Sequence, residues 1–81
     1  MLIDDFGDRL RELIRRIKGE NYSERQMSLD LGKGKNYINN IANSKTLPSL
    51  EALDEICDFL GISIVDFFDT DFKGQKSAER L

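Results

Sequence analysis

Apolar residues along this chain return at helical spacing, and no stretch shows the two-residue alternation of a strand. Phe6, Leu10, Leu13, Ile14 and Ile17 recur at i, i+4, i+7, i+8 and i+11, which is one face of a helix. Asp4, Asp5 and Asp8 lie near its start and Arg15, Arg16 and Lys18 near its end, as the helix dipole favours. Gly19 offers a stop. Ser23-Glu24-Arg25-Gln26 reads as a capping box. It opens a second helix that runs to about Leu31, with Met27 and Leu31 inward and Gly32 after it. A third helix is expected from about Lys35 to Asn43, with Gly34 as a weak N-cap. Pro48 breaks the chain, and Ser49 caps a fourth helix whose stripe is Leu50, Leu53, Ile56, Cys57 and Leu60, closed by Gly61. Ser63 caps a short fifth helix ending near Phe68. The pattern predicts an all-α domain of five helices over residues 1–69, followed by a polar tail over 70–81 that frays.

The third helix differs from the others. Ile38 and Ile41 are its strongly apolar positions, and it carries Asn36, Asn39, Asn40 and Asn43. Asparagine is a poor helix former, so packing or binding must justify the element. From Leu31 to Leu50 there are three lysines and no acid. The chain as a whole carries a net charge of −3. Residues 1–50 hold nine Lys/Arg against seven Asp/Glu, or +2, and residues 51–81 hold three against eight, or −5. Only the first part can face a polyanion comfortably.

Composition removes several function classes. There is no histidine and one cysteine, Cys57, so an internal disulfide, a Cys/His zinc site and any His-dependent catalytic triad are excluded. Cys57 falls at a core spacing. No apolar run reaches the ~20 residues of a membrane span. The N-terminus has acids where a signal peptide needs positive charge, so a cytoplasmic location is expected. Nothing in the sequence implies a cofactor or a metal, and no convergent carboxylate pair suggests an enzyme.

Two short helices joined at Gly32, the second poor in apolar residues, suit a major-groove reader. Asparagine can make two hydrogen bonds to the N6/N7 edge of adenine, and lysine can reach guanine or phosphate. Recognition helices place their N-terminal residues against base edges.

The stretch SERQMSLDLGKGKNYINNIANSKTLPSLEALDEICDFLGISIVDFF, Ser23 to Phe68, resembles the Cro/C1-type helix-turn-helix family, the lambda-repressor-like DNA-binding domains. Phe6 to Lys18 matches the family's first helix more loosely, so about four-fifths of the chain is covered. The resemblance implies a double-stranded DNA binder, usually a homodimer, that regulates transcription, here as a repressor. By position it implies base reading by Lys35, Asn36 and Asn40. It implies phosphate or flanking contacts from Ser23, Lys33, Gly34, Tyr37, Asn43 and Lys45. The chain departs from the family pattern at several points. Glu24 stands where relatives often have glutamine, Ser28 replaces the usual small residue between the motif helices, and Gly34 replaces a common Ser/Thr cap. Ser44 replaces a helix-ending glycine, which would leave Asn43 to supply a left-handed residue. Ile14 and Ala42 fall where some relatives bury an Arg–Glu pair. The alternative reading keeps the same fold as a protein-interaction or antitoxin-like module that uses the acidic C-terminal half.

Overall fold

A computed structural model describes residues 5–69, 71 and 72. The described residues form five helices and no strand: α1 (Phe6–Lys18), α2 (Glu24–Asp30), α3 (Tyr37–Asn43), α4 (Leu50–Leu60) and α5 (Ile64–Phe68). The all-α, five-helix expectation holds. The expected polar tail lies, from residue 73 on, outside the described residues. Phe72, three residues past the expected domain boundary, is buried in the core.

The apolar stripes converge as their spacing requires. Leu10 and Leu13 from α1, Met27 from α2, Ile38 from α3, Ile56 from α4 and Phe67 from α5 are fully buried. Phe6 stacks on Phe67 at 5.1 Å between ring centroids. Cys57 joins this core. Burial, then the nearby Asp54 and Asp66 carboxylates, push its thiol up to about 11, so it is an unreactive packing residue at neutral pH. Ile14 and Ala42 are also buried.

Caps set the helix ends. Ser49 and Ser63 accept from the backbone N–H of Ala52 and Asp66, and Asp66 returns the bond to complete a capping box. Ser23 accepts from Gln26 N at 3.0 Å, but the box expected there is only half made. The Gln26 side chain is instead turned along the helix, its Nε2 donating to the ionised Asp30 carboxylate at 2.8 Å, a charge-assisted bond. Gly32 takes φ +76°, a left-handed geometry that glycine adopts without a Cβ penalty. It turns the chain from α2 towards α3, with Lys33 N donating to Ser28 O at 2.9 Å.

Two expectations about α3 are corrected. The helix begins at Tyr37 with Asn36 as N-cap, not near Lys35 with Gly34 as cap. Gly34 to Tyr37 form a tighter turn, closed by Tyr37 N donating to Gly34 O at 3.1 Å, so Lys35 and Asn36 lie in the approach to the helix. Asn43 is not left-handed: no described non-glycine residue has positive φ. Extended Ser44 ends the helix at φ −69°, ψ 147°. Its hydroxyl accepts from Thr46 N at 3.1 Å, which starts the loop without a left-handed residue.

Three contacts fix α3 and the end of the chain to α1 and α2. The Ser28 hydroxyl, fully buried, donates to Glu24 O at 2.8 Å and accepts from Ile38 N at 2.9 Å. Asn36 makes no side-chain cap, so a hydroxyl from α2 satisfies an N–H in the first turn of α3. At Gly7, α1 meets the far end of α3 so closely that a Cβ would lie 2.0 Å from the Ala42 carbonyl oxygen. Arg9, only 6% exposed, spreads its guanidinium over the end of α5. Nε donates to Phe67 O at 2.7 Å, and Nη2 to the carbonyls of Asp69 (2.7 Å), Asp66 (3.1 Å) and Phe72 (3.2 Å). Nη1 pairs with Glu12 at 3.2 Å.

Three outcomes are expected in denaturant titrations. Ser28→Ala leaves the Ile38 N–H buried without its partner and should cost about 1–3 kcal/mol, with faster amide exchange at Ile38. An unchanged or raised midpoint would remove Ser28 from this role. Gly7→Ala should destabilise by about 1–3 kcal/mol through overpacking against backbone that cannot yield, despite a helix-propensity gain of about 1 kcal/mol. Arg9→Met removes the guanidinium bonds to four carbonyls, of which those of Asp66 and Asp69 keep a backbone N–H, and should cost about 3 kcal/mol.

Candidate nucleic-acid interface

The turn and helix that were expected to read DNA form one exposed surface. Lys35, Asn36 and Asn40 are exposed, and none of their side chains bonds elsewhere among the described residues. Lys35 and Asn36 share an open hollow with Tyr22, Ser23, Glu24 and Asn39. Asn40 lies on the other flank, where Tyr37, Ile41, Leu47 and Pro48 line a shallow apolar groove. Lys45 is exposed in the loop after α3, and Ser23 and Gly34 are also exposed.

The remaining predicted contacts have partners inside the protein. Lys33 turns towards α4, with Nζ 3.5 Å from Glu55 and 5.4 Å from the Tyr37 ring. Tyr37 is half-buried and packs against the core, so its ring shields the interior. Asn43 uses both ends of its amide. Its Oδ1 accepts from Arg11 Nη2 at 2.8 Å, and its Nδ2 donates to Asn39 Oδ1 at 3.2 Å. Asn39 in turn donates from Nδ2 to Glu24 Oε1 at 3.1 Å. Glu24 Oε2 accepts from Arg11 Nε at 2.6 Å. Arg11, Glu24, Asn39 and Asn43 therefore close a four-membered ring of side chains that joins α1, α2 and α3.

Behind this surface, Lys18 lies 4.5 Å over the Phe59 ring and 5.9 Å from the Tyr22 ring, so the cation ending α1 covers the seam with α4. The Tyr22 hydroxyl donates to Asp30. Partial burial and that bond push the Tyr22 phenol up to about 12, while the Tyr22 and Gln26 hydrogen bonds hold the Asp30 carboxyl below its usual range. The α2 end of the turn is thus braced by a bond that persists across neutral pH.

Sequence reasoning passed over Arg11 and treated Glu24 and Ser28 only as departures from a pattern. Arg9 carried a signal that was available. It lies three residues after Phe6 and four before Leu13, inside the apolar stripe, where a charge must find buried partners. No comparable signal marks Arg11, whose partners come from two other helices.

Among the described residues there is no group of three or more His, Cys, Asp or Glu placed to hold a metal ion. No helix there is long and apolar enough to cross a membrane. No curated protein and no solved structure matches the chain. A family model described as helix-turn-helix matches residues 13–67, about two-thirds of the chain. The match takes in α2, the Gly32 turn and α3 together with most of the helices that brace them. The chain belongs to the Cro/C1-type helix-turn-helix family, a non-enzymatic family of DNA-binding transcription regulators.

Proposed function

We propose that the protein is a sequence-specific regulator, acting as a repressor, that lays α3 in the major groove of duplex DNA and binds as a homodimer in the cytoplasm. Lys35, Asn36 and Asn40 read base edges, and Lys45 and Ser23 contact the phosphate backbone. Gly34 leaves the chain before α3 without a side chain at the DNA. Lys33, Tyr37 and Asn43 act from behind, by holding the reading surface in place.

One observation carries the reading. Lys35, Asn36 and Asn40 have the right chemistry for base edges and make no side-chain bond among the described residues, and they sit on the turn before α3 and on α3 itself, a helix held at both ends. Asn39 and Asn43, on the same helix, are already committed to the ring. Two amides and an amine presented from an acid-free segment suit adenine and guanine edges. The acids of the chain collect on α4 and beyond, where Glu51, Asp54 and Asp58 are exposed.

A binding selection from random duplex DNA tests the proposal. It should yield an enriched motif at low salt. Lys35→Ala, Asn36→Ala and Asn40→Ala should each relax one or two positions of that motif and cost about 1–3 kcal/mol on the preferred site. Lys45→Ala should weaken binding to all sequences alike and flatten the log–log salt slope by about 0.9. Absence of any enriched motif would end the reading. A motif indifferent to all three substitutions would show that another surface reads the bases.

A further inference from the structure

The segment from Leu31 to Leu50 excludes acids, yet the fold returns one to its surface. Glu24 enters from α2 and lines the same hollow as Lys35 and Asn36. Its carboxylate is fixed by Arg11 at 2.6 Å and by Asn39 at 3.1 Å. Its side chain is 25% exposed and that of Arg11 38%, so the pair is open to solvent and to whatever docks there. Arg11 donates to both of its neighbours in the ring, Glu24 accepts from both of its own, and the amides of Asn39 and Asn43 are engaged at both ends.

We infer that Glu24 is a specificity-determining residue, a repulsive element that weakens binding to duplex of arbitrary sequence while its ring fixes the face of α3. The inference rests on the DNA-reading function proposed above. Non-specific binding is almost wholly electrostatic, so a carboxylate within a Debye length of the phosphates, about 8 Å at physiological salt, acts directly against it. Specific binding adds base contacts from Lys35, Asn36 and Asn40, and these require α3 to hold its position and rotation. The ring supplies part of that hold through Asn39 and Asn43. One residue therefore opposes one binding mode and supports the other, which is discrimination by repulsion as well as by attraction. Were Glu24 only a staple between helices, neutralising it would shift binding to the random duplex no more than neutralising a distant acid does.

The test measures fluorescence anisotropy on two duplexes, the selected site and a random sequence, at one fixed salt concentration. It compares the unmodified chain with Glu24→Gln, Arg11→Gln and the distant control Asp58→Asn, after circular dichroism shows all four folded. Glu24→Gln keeps an amide oxygen for Asn39. It should bind the random duplex about three- to tenfold more tightly and lower the ratio of selected to random affinity by at least that factor. Arg11→Gln should bind the random duplex more weakly, and Asp58→Asn should move it by less than about twofold. Random-duplex shifts of the same sign for Glu24→Gln and Arg11→Gln would overturn the inference, as would an unchanged affinity ratio in Glu24→Gln. If the unmodified chain itself does not distinguish the two duplexes, the DNA-reading proposal fails first and this inference falls with it.

Discussion

A seven-residue helix with three asparagines falls well below the ~12–15 residues at which a helix persists by itself in water, so α3 owes its shape to the atoms around it. Its first turn borrows a hydroxyl from α2 through Ser28. Its far end rests against α1 at Gly7, where the backbones approach too closely for any side chain. Its outer edge is tied to both helices by Arg11, Glu24 and Asn43. Ile38 supplies the apolar anchor. A helix supported in this way can carry poor helix formers at its exposed positions, as it does at Asn40.

Arg9 plays the matching part at the other end of the molecule. Beyond the short α5 the backbone turns on itself, with Asp69 N donating to Asp66 O and Phe72 N to Asp69 O, and the carbonyls at this helix end accept further bonds. One guanidinium meets three of them and the carbonyl of Phe72 as well. Its planar fork makes this feasible where a lysine would be a single point of charge. Phe67 and Phe72 are thereby held over α1, and the surface of α1 that braces α3 is backed by a closed core. Glu12 shares the load between Arg9 and Arg16. Partial desolvation works against its charge, but the hydrogen bonds of the two arginines outweigh that and hold its carboxyl below the usual range.

Much of this was legible in the residues. The stripe from Phe6 to Ile17 gave α1, Ser49 with Gly61 bounded α4, and Ser63 with Asp66 opened α5, because those signals act over one or two turns of chain. The acid-free run around α3 pointed to the surface proposed to meet DNA for the same reason: charge is visible in the letters alone. The start of α3 was misplaced because Lys35 and Asn36 close a turn that a propensity scale cannot tell from a helix. Gln26 misled because its amide is drawn along the helix to the Asp30 carboxylate and not back to the Ser23 N–H. The roles of Ser28, Arg11 and Glu24 were hidden for a deeper reason. Each depends on an atom from another element ten or more positions away, and a serine that caps a foreign helix looks like any other serine in a row of letters.

Asn43 stands directly before Ser44, and asparagine before a small residue is among the weaker points of a polypeptide against chemical ageing. Deamidation requires the following backbone nitrogen to reach the side-chain carbonyl carbon. Here the Ser44 nitrogen is engaged with Ile41 O, and the amide of Asn43 is held at both ends by Arg11 and Asn39. Conversion to aspartate would turn a donor into an acceptor opposite Asn39 Oδ1 and place a second carboxylate beside Glu24. The ring therefore slows the very lesion that would open it.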